Sequence, residues 1–168
     1  MDRTDLPPAR TVRRSPVGAP PYGAVVLRHD ERILRRRRLL TSEGEGFLVD
    51  LPETAGLEGG DALELADGRL IAVVAAAEPL LEVRGPDLPR LAWHLGNRHA
   101  ACRIERDCLL VQRDRVLADM LRGLGATICE ITGPFVPEGG AYGHGRTMAH
   151  DHHQELSHLP SRVPGHED

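Results

Sequence analysis

Lysine is missing from this 168-residue sequence, and aromatic residues are scarce. All 21 basic residues are therefore arginines, and 25 carboxylates outnumber them to give a net charge of −4. This balance produces no general attraction to nucleic acid or to an anionic membrane surface. Aromatics make up only 3% of the chain, which leaves an RNA-binding sheet without its stacking platform. We therefore expect neither a nucleic-acid partner nor a membrane partner.

Long apolar runs are also missing. No stretch reaches the length of about 18 residues that a membrane-spanning helix needs, and residues 1–16 lack the apolar run of a secretion signal. The three cysteines, Cys102, Cys108 and Cys129, form no CxxC pair, and their odd number argues against a disulfide framework. We expect a cytoplasmic protein with free thiols.

The common signatures of catalysis are not found. The sequence contains no GxSxG, P-loop, GxGxxG or HExxH motif. Carboxylates such as Asp107, Asp114 and Asp119 lack the paired spacing of an acid/base couple. We predict no catalytic residue, no cofactor-binding site and no enzymatic activity.

What is present is a chain whose apolar pattern changes along its length. Residues 1–22 are rich in Pro and Arg and predict a flexible leader. In residues 23–77 short apolar runs alternate with turn signals such as Asp67-Gly68, which predicts an all-β domain. Residues 144–168 show no apolar periodicity and predict a disordered tail.

Residues 78–143 predict a second domain that contains two helices. Asp87 is placed to cap a helix that continues to about Arg98, and Asp114 begins another that ends before Gly125, with Val116 and Leu121 on its apolar face. Together with the flanking apolar runs, the order is strand, helix, strand, strand, helix, strand. This is the order of a ferredoxin-like fold, so the predicted class is α+β.

Histidine is concentrated at the C-terminal end, where six of the nine histidines fall within the last 25 residues. Imidazole is a ligand for nickel, zinc and copper, and a flexible segment with interrupted histidines can wrap around an ion. The pattern favours metal binding over a merely soluble tail. It does not select the metal, because these ligands follow the Irving–Williams order.

Three further features have two interpretations each. His99, in the segment HLGNRH, is interpreted as a hydrogen-bonded core or cap residue in preference to a metal ligand. His94 lies off the apolar stripe of its helix, which favours a structural or solvent-facing role over ligation. The run Arg35–Arg38 is interpreted as a solvated strand edge in preference to a docking patch.

Several segments taken together resemble the UreE family of urease accessory proteins. They are HLGNRH at residues 94–99, DRVLADMLRGLG at residues 114–125, FVPEGGAYGHG at residues 135–145, and the histidine-bearing tail. The likeness continues back through LPETAGLEGGDALEL and covers about residues 24–153.

The resemblance implies a nickel metallochaperone, with Ni²⁺ as cargo and Zn²⁺ or Cu²⁺ as further candidates in vitro. It implies an N-terminal β domain that contacts partners and a ferredoxin-like domain that dimerises. It places His99 at the dimer interface in a shared metal site, and it implies delivery through a urease accessory GTPase to the urease apoprotein. Further ligands that it implies in the tail are His144, His150, His152 and His153.

One departure from the family pattern bears on the number of ions. Some members carry a His-x-His pair at the start of the second helix, where this sequence has Arg113-Asp114-Arg115. Guanidinium groups have no acceptor with which to ligate, so we expect that auxiliary site to be missing. The alternatives that stay open are a metal-dependent hydrolase that uses the same histidines and a protein-binding module with incidental metal buffering.

Overall fold

The computed structural model describes residues 5–139. Two sheets form the framework of this stretch. The first contains six strands: β1 (Ala9–Arg13), β2 (Gly23–Leu27), β3 (Ile33–Leu40), β4 (Gly46–Gly56), β5 (Ala62–Leu65) and β6 (Leu70–Ala75). The second contains four strands with two helices between them: β7 (Ala77–Arg84), α1 (Leu88–Asn97), β8 (Cys102–Ile104), β9 (Leu109–Gln112), α2 (Arg115–Gly123) and β10 (Thr127–Pro134).

The first sheet corrects the prediction made for the N-terminus. β1 lies inside the sheet between β5 and β4, and Leu6 and Ala9 are buried in its core. The prediction of a flexible leader over residues 1–22 is therefore wrong for residues 9–13. A register shift between Ala9 and Thr11 moves the inward-facing position to Val12. This bulge breaks the two-residue alternation that identifies a strand in a sequence.

The hairpin predicted at Asp67-Gly68 is confirmed. β5 and β6 pair antiparallel, and the N–H of Leu65 donates to the carbonyl of Arg69 at 2.8 Å. Gly68 has a φ of 87°, in the left-handed region that a residue with a side chain rarely adopts. The turn therefore depends on a glycine at this position.

The arginine run lies on β3, at one edge of the six-stranded order β2-β6-β5-β1-β4-β3. All of Arg35–Arg38 are exposed, and Arg37 lies opposite the buried Val49 of β4, which places a charge on the inner side of the open edge. Inward-pointing charges discourage the pairing of a free edge with another strand. The carboxylate partners of the run are Asp50 for Arg36 at 3.8 Å, Glu31 for Arg37 at 3.5 Å, and Asp5 for Arg38 at 2.6 Å. The arrangement favours the interpretation that the arginine run keeps the edge strand β3 from pairing with another strand, in preference to a docking patch for a partner.

The second half of the described chain has the predicted ferredoxin-like fold. Its elements follow the order strand, helix, strand, strand, helix, strand, and the sheet order is β10-β7-β9-β8. Both helices contribute to the core on one face of this sheet, through Leu91 and Leu95 of α1 and Ala118 and Leu121 of α2. Neither helix among residues 5–139 is long and apolar enough to cross a membrane.

Both helices begin where the sequence predicts. The Asp87 carboxylate accepts the N–H of Arg90 at 3.1 Å, and the Asp114 carboxylate accepts the N–H of Leu117 at 2.8 Å. These contacts satisfy backbone donors that have no partner within the first helical turn. The predicted apolar face of α2 is wrong for Val116, which is 65% exposed. It lies roughly 200° around the helix axis from the buried Ala118.

Candidate metal site

The candidate site lies at the C-terminal end of α1. Leu91 and Leu95 anchor this helix in the core, and the helix continues through Gly96 and Asn97 before Arg98 caps it. His99 is the first residue beyond the cap. Its position in space is therefore determined by how the helix ends.

The helix ends in a Schellman motif. The N–H of Ala100 donates to the carbonyl of Leu95 at 3.1 Å, and the N–H of His99 donates to the carbonyl of Gly96 at 2.9 Å. This pair of bonds requires the residue after the cap to adopt left-handed backbone angles. His99 does so, with a φ of 54°, and it is the one non-glycine residue with positive φ among residues 5–139.

The end of α2 provides an internal comparison. The N–H of Ala126 donates to the carbonyl of Leu121 at 3.0 Å, the N–H of Gly125 donates to that of Arg122 at 2.9 Å, and Gly125 has a φ of 88°. The two helices thus end in the same motif, once with glycine and once with histidine. A left-handed angle costs a residue with a side chain about 1–2 kcal/mol. Such strain at a single residue points to a role for its side chain.

The imidazole of His99 is available for ligation. The residue is exposed, and its side chain forms no hydrogen bond or ion pair with any other residue in the stretch 5–139. The interpretation as a core residue or a side-chain cap therefore does not apply, because only its backbone takes part in the helix end. A neutral imidazole offers one ring nitrogen as a ligand.

Two aromatic rings precede His99 on the same helix. Trp93 is 62% exposed, and its ring meets the half-buried ring of His94 edge to face, with the centroids 5.0 Å apart. The imidazole of His94 therefore packs against this indole. An indole left this open is a large apolar group on the surface of α1.

The chain beyond β10 returns to the strand that follows His99. The N–H of Glu138 donates to the carbonyl of Cys102 at 2.8 Å, three residues past His99. The sequence offered no periodic signal for this contact, since residues 135–139 form no regular element. Burial, with the nearby Glu138 carboxylate, raises the pKa of the Cys102 thiol to about 11. Because a thiol binds metal as the thiolate, Cys102 is a weak candidate at neutral pH.

The remaining candidates are not brought together with His99 in the described chain. Within residues 5–139 no group of three or more His, Cys, Asp or Glu side chains is arranged to hold an ion. The four tail candidates His144, His150, His152 and His153 lie outside the described residues. At the start of α2, Asp114 caps the helix and Arg113 pairs with Glu130 at 3.2 Å.

The fold and the site define a class: a two-domain protein in which an all-β unit precedes a ferredoxin-like unit that presents the exposed His99 just beyond its first helix. Family models match both units. The N-terminal domain of the UreE urease accessory protein matches residues 6–76, and its C-terminal domain matches residues 78–159.

Curated relatives agree with the family models over most of the chain. The urease accessory protein UreE of Ruegeria pomeroyi is 57% identical over 148 residues, which cover 88% of this chain and 99% of the relative. That of Cereibacter sphaeroides is 57% identical over 89% of this chain and 82% of the relative. That of Paracoccus denitrificans is 57% identical over 82% of this chain and 87% of the relative. The chain belongs to the UreE family of urease accessory proteins, which implies a role in urease maturation.

Proposed function

We propose that the protein is a cytoplasmic nickel metallochaperone that delivers Ni²⁺ for assembly of the urease active site and catalyses no reaction itself. The observation that carries the proposal is the solvent-facing imidazole of His99, which is held on a strained backbone and bonded to no other described residue. A carrier needs a site that loads readily and releases readily. The imidazole of an exposed histidine that binds an ion only together with further ligands meets both needs.

The first additional ligand in this proposal is a second copy of His99. One imidazole supplies one donor, whereas nickel is held by several, and a two-fold axis brings the same residue from each subunit to one point. The exposed Trp93 of α1 supports a homodimer that buries this helix. Association would bury an indole, which is among the side chains most enriched at the centres of protein interfaces.

The tail supplies the remaining ligands. Glu138, one of the last described residues, is bonded to Cys102, which lies three residues past His99. His144 lies six positions after Glu138, which gives a reach of at most ~20 Å. Tethering at this range places tail imidazoles at an effective concentration on the order of millimolar without any fixed structure.

Delivery follows from the weakness of such a site. A partner with a better set of ligands can displace the tail imidazoles one at a time, so release requires no large conformational change. We propose that the receiving partners are the urease accessory GTPase and the urease apoprotein, with the N-terminal β domain as the contact surface. Nickel has no advantage over copper at imidazole ligands, so selectivity would come from cellular supply and partner contact.

Calorimetric titration with Ni²⁺ tests the assignment. His99→Ala is expected to remove the tightest binding event, and His94→Ala, five residues earlier on the same helix, is expected to leave it intact. Unchanged nickel affinity in His99→Ala would contradict the proposal. Turnover of an ester or an amide that depends on His99 would favour the hydrolase alternative instead.

A further inference from the structure

A group of buried polar side chains joins the N-terminal domain to the ferredoxin-like domain. Arg32, at the end of a 3-10 turn between β2 and β3, is 2% exposed, and Glu78 on β7 is 4% exposed. The Nη2 of Arg32 donates to the carbonyl of Phe135, just after β10. Glu78 accepts the backbone N–H of His29 at 2.9 Å and the side-chain amide of Gln112 at 2.8 Å. These five residues form the domain joint, in which donors of the N-terminal domain meet acceptors of the ferredoxin-like domain.

The charge of Arg32 is balanced from both domains. Burial lowers the pKa of Arg32, and the charges of Glu78 and Glu58 act against this shift. Glu78 belongs to the ferredoxin-like domain and Glu58 to the N-terminal domain, so one buried guanidinium interacts with a carboxylate of each. Removal of a compensating charge from a buried ion is strongly destabilising. Separation of the domains would have this effect, because it takes Glu78 away from Arg32.

A short linker and an aromatic contact also hold the domains together. A single residue, Ala76, separates β6 from β7, and its N–H donates to the carbonyl of Leu27 at 2.9 Å. Phe135 is fully buried, and its ring meets the ring of His29 edge to face at 5.3 Å. Burial of apolar surface is non-directional, so by itself it does not select one orientation of the domains.

The buried hydrogen bonds of the joint do select an orientation. A rotation of one domain against the other would leave the Glu78 carboxylate and the His29 N–H buried without each other, at the full cost of their desolvation. In contrast, replacement of buried charged groups by apolar residues of similar volume is often neutral or stabilising. The polar groups of the joint are therefore better explained by the orientation of the domains than by the stability of the chain.

We propose that Glu78 is a positioning residue that holds the N-terminal domain in one orientation on the ferredoxin-like domain, so that the two domains move as one body. Relative motion is the usual behaviour of two domains unless their interface is large and apolar. The joint replaces such an interface with a few buried polar contacts. In the proposed function, where the N-terminal domain contacts the receiving partners, the joint keeps that contact surface at a fixed distance from His99.

Residual dipolar couplings, measured by NMR on the full-length chain without added metal, test the orientation, because domains that move as one body share one alignment tensor. The native chain is expected to give the same tensor from the amides of β1–β6 and from those of β7–β10. The double variant Arg32→Met/Glu78→Met is expected to give two different tensors with a Tm close to that of the native chain. Glu78→Gln keeps an acceptor for His29 and a polar group for Gln112, so it is expected to keep the single tensor.

The matched control is Arg14→Met. Arg14 also donates to a backbone carbonyl, that of Gly56 at 2.7 Å, and to the buried Asp61 at 2.7 Å, but all three residues lie within the N-terminal domain. This variant is expected to keep the single tensor whatever its effect on Tm. Hydrogen exchange gives a second measurement. In the double variant the amide of His29 is expected to exchange faster than in the native chain, whereas the amide of Gly60, which is bonded within its own domain, is expected to keep its native rate.

Several results would overturn the inference. Two tensors in the native chain would mean that the domains do not move as one body. One tensor in the double variant, or unchanged exchange at His29, would mean that the orientation does not depend on the joint. A double variant that no longer folds would mean that the joint serves stability, and two tensors in Arg14→Met or in Glu78→Gln would mean that the contacts of Glu78 are not what fixes the domains. Nickel affinity enters none of these measurements, so the proposed function is tested separately.

Discussion

His99 occupies a backbone position that suits glycine. His99→Gly should therefore make the domain more stable and at the same time remove nickel binding. Relief of the left-handed angle is worth about 1–2 kcal/mol. The greater conformational freedom of glycine in the unfolded chain offsets about 0.5–1 kcal/mol of that stabilisation. The net expectation is a domain more stable by about 0.5–1 kcal/mol that has lost its tightest nickel site. Few substitutions of a ligand are expected to stabilise the protein that carries it.

Thermal unfolding in the presence of a chelator measures the stability effect without interference from bound metal. A gain of this size corresponds to a rise in Tm of roughly 2–8 °C for a domain of about 60–100 residues, the size class of the ferredoxin-like domain. All variants are compared at one protein concentration, because association shifts apparent stability. Nickel titration of the same samples measures the loss of binding.

Two control variants test the loss of the imidazole and the backbone strain separately. His99→Ala removes the imidazole but keeps the strained angle, so it should lose nickel binding without a gain in Tm. Gly125→Ala introduces the same strain at the matching position after α2, and it should lower Tm with nickel affinity unchanged. A Tm that falls in His99→Gly would refute the argument from backbone strain. Tight nickel binding in the same variant would refute the ligand assignment.

Three further predictions test neighbouring parts of the proposal. Trp93→Glu should yield monomers by light scattering and weaken nickel binding, whereas Trp93→Phe should remain dimeric; a dimeric Trp93→Glu would remove the proposed interface. Deletion of residues 144–168 should reduce the nickel ions per dimer while one site remains, and an unchanged ion count by calorimetry would contradict the role of the tail. Burial, with the charge of Arg32 close by, lowers the pKa of His29 below 6.5, against smaller opposing effects of Glu78 and Asp30. Its contribution to stability is therefore present above about pH 6.5 and lost as the pH falls below that value, because the unfolded chain then binds the extra proton. Urea unfolding at pH 7.5 and 5.5 should show less loss of stability in His29→Phe than in the native protein, and an identical loss would contradict this.

The sequence alone determined the features that depend on neighbours a few residues apart. Asp87 and Asp114 cap backbone donors three residues ahead, and Gly125 ends α2 within one turn. Interactions of this range are encoded in short segments, so the helix starts and the βαββαβ order could be predicted. The segment HLGNRH also indicated the family and His99 before any geometry was known.

Only the tertiary structure decided the features that depend on distant partners. β1 is a strand because β4 and β5 flank it, and the bulge that this pairing requires hides its alternation. The sequence also left open whether the side chain of His99 was buried or free, since that depended on whether α1 passes Gly96 and how it ends. The contact between Arg32 and Phe135 joins residues 103 positions apart. No local pattern encodes such a contact, because it exists only once both domains have folded against each other.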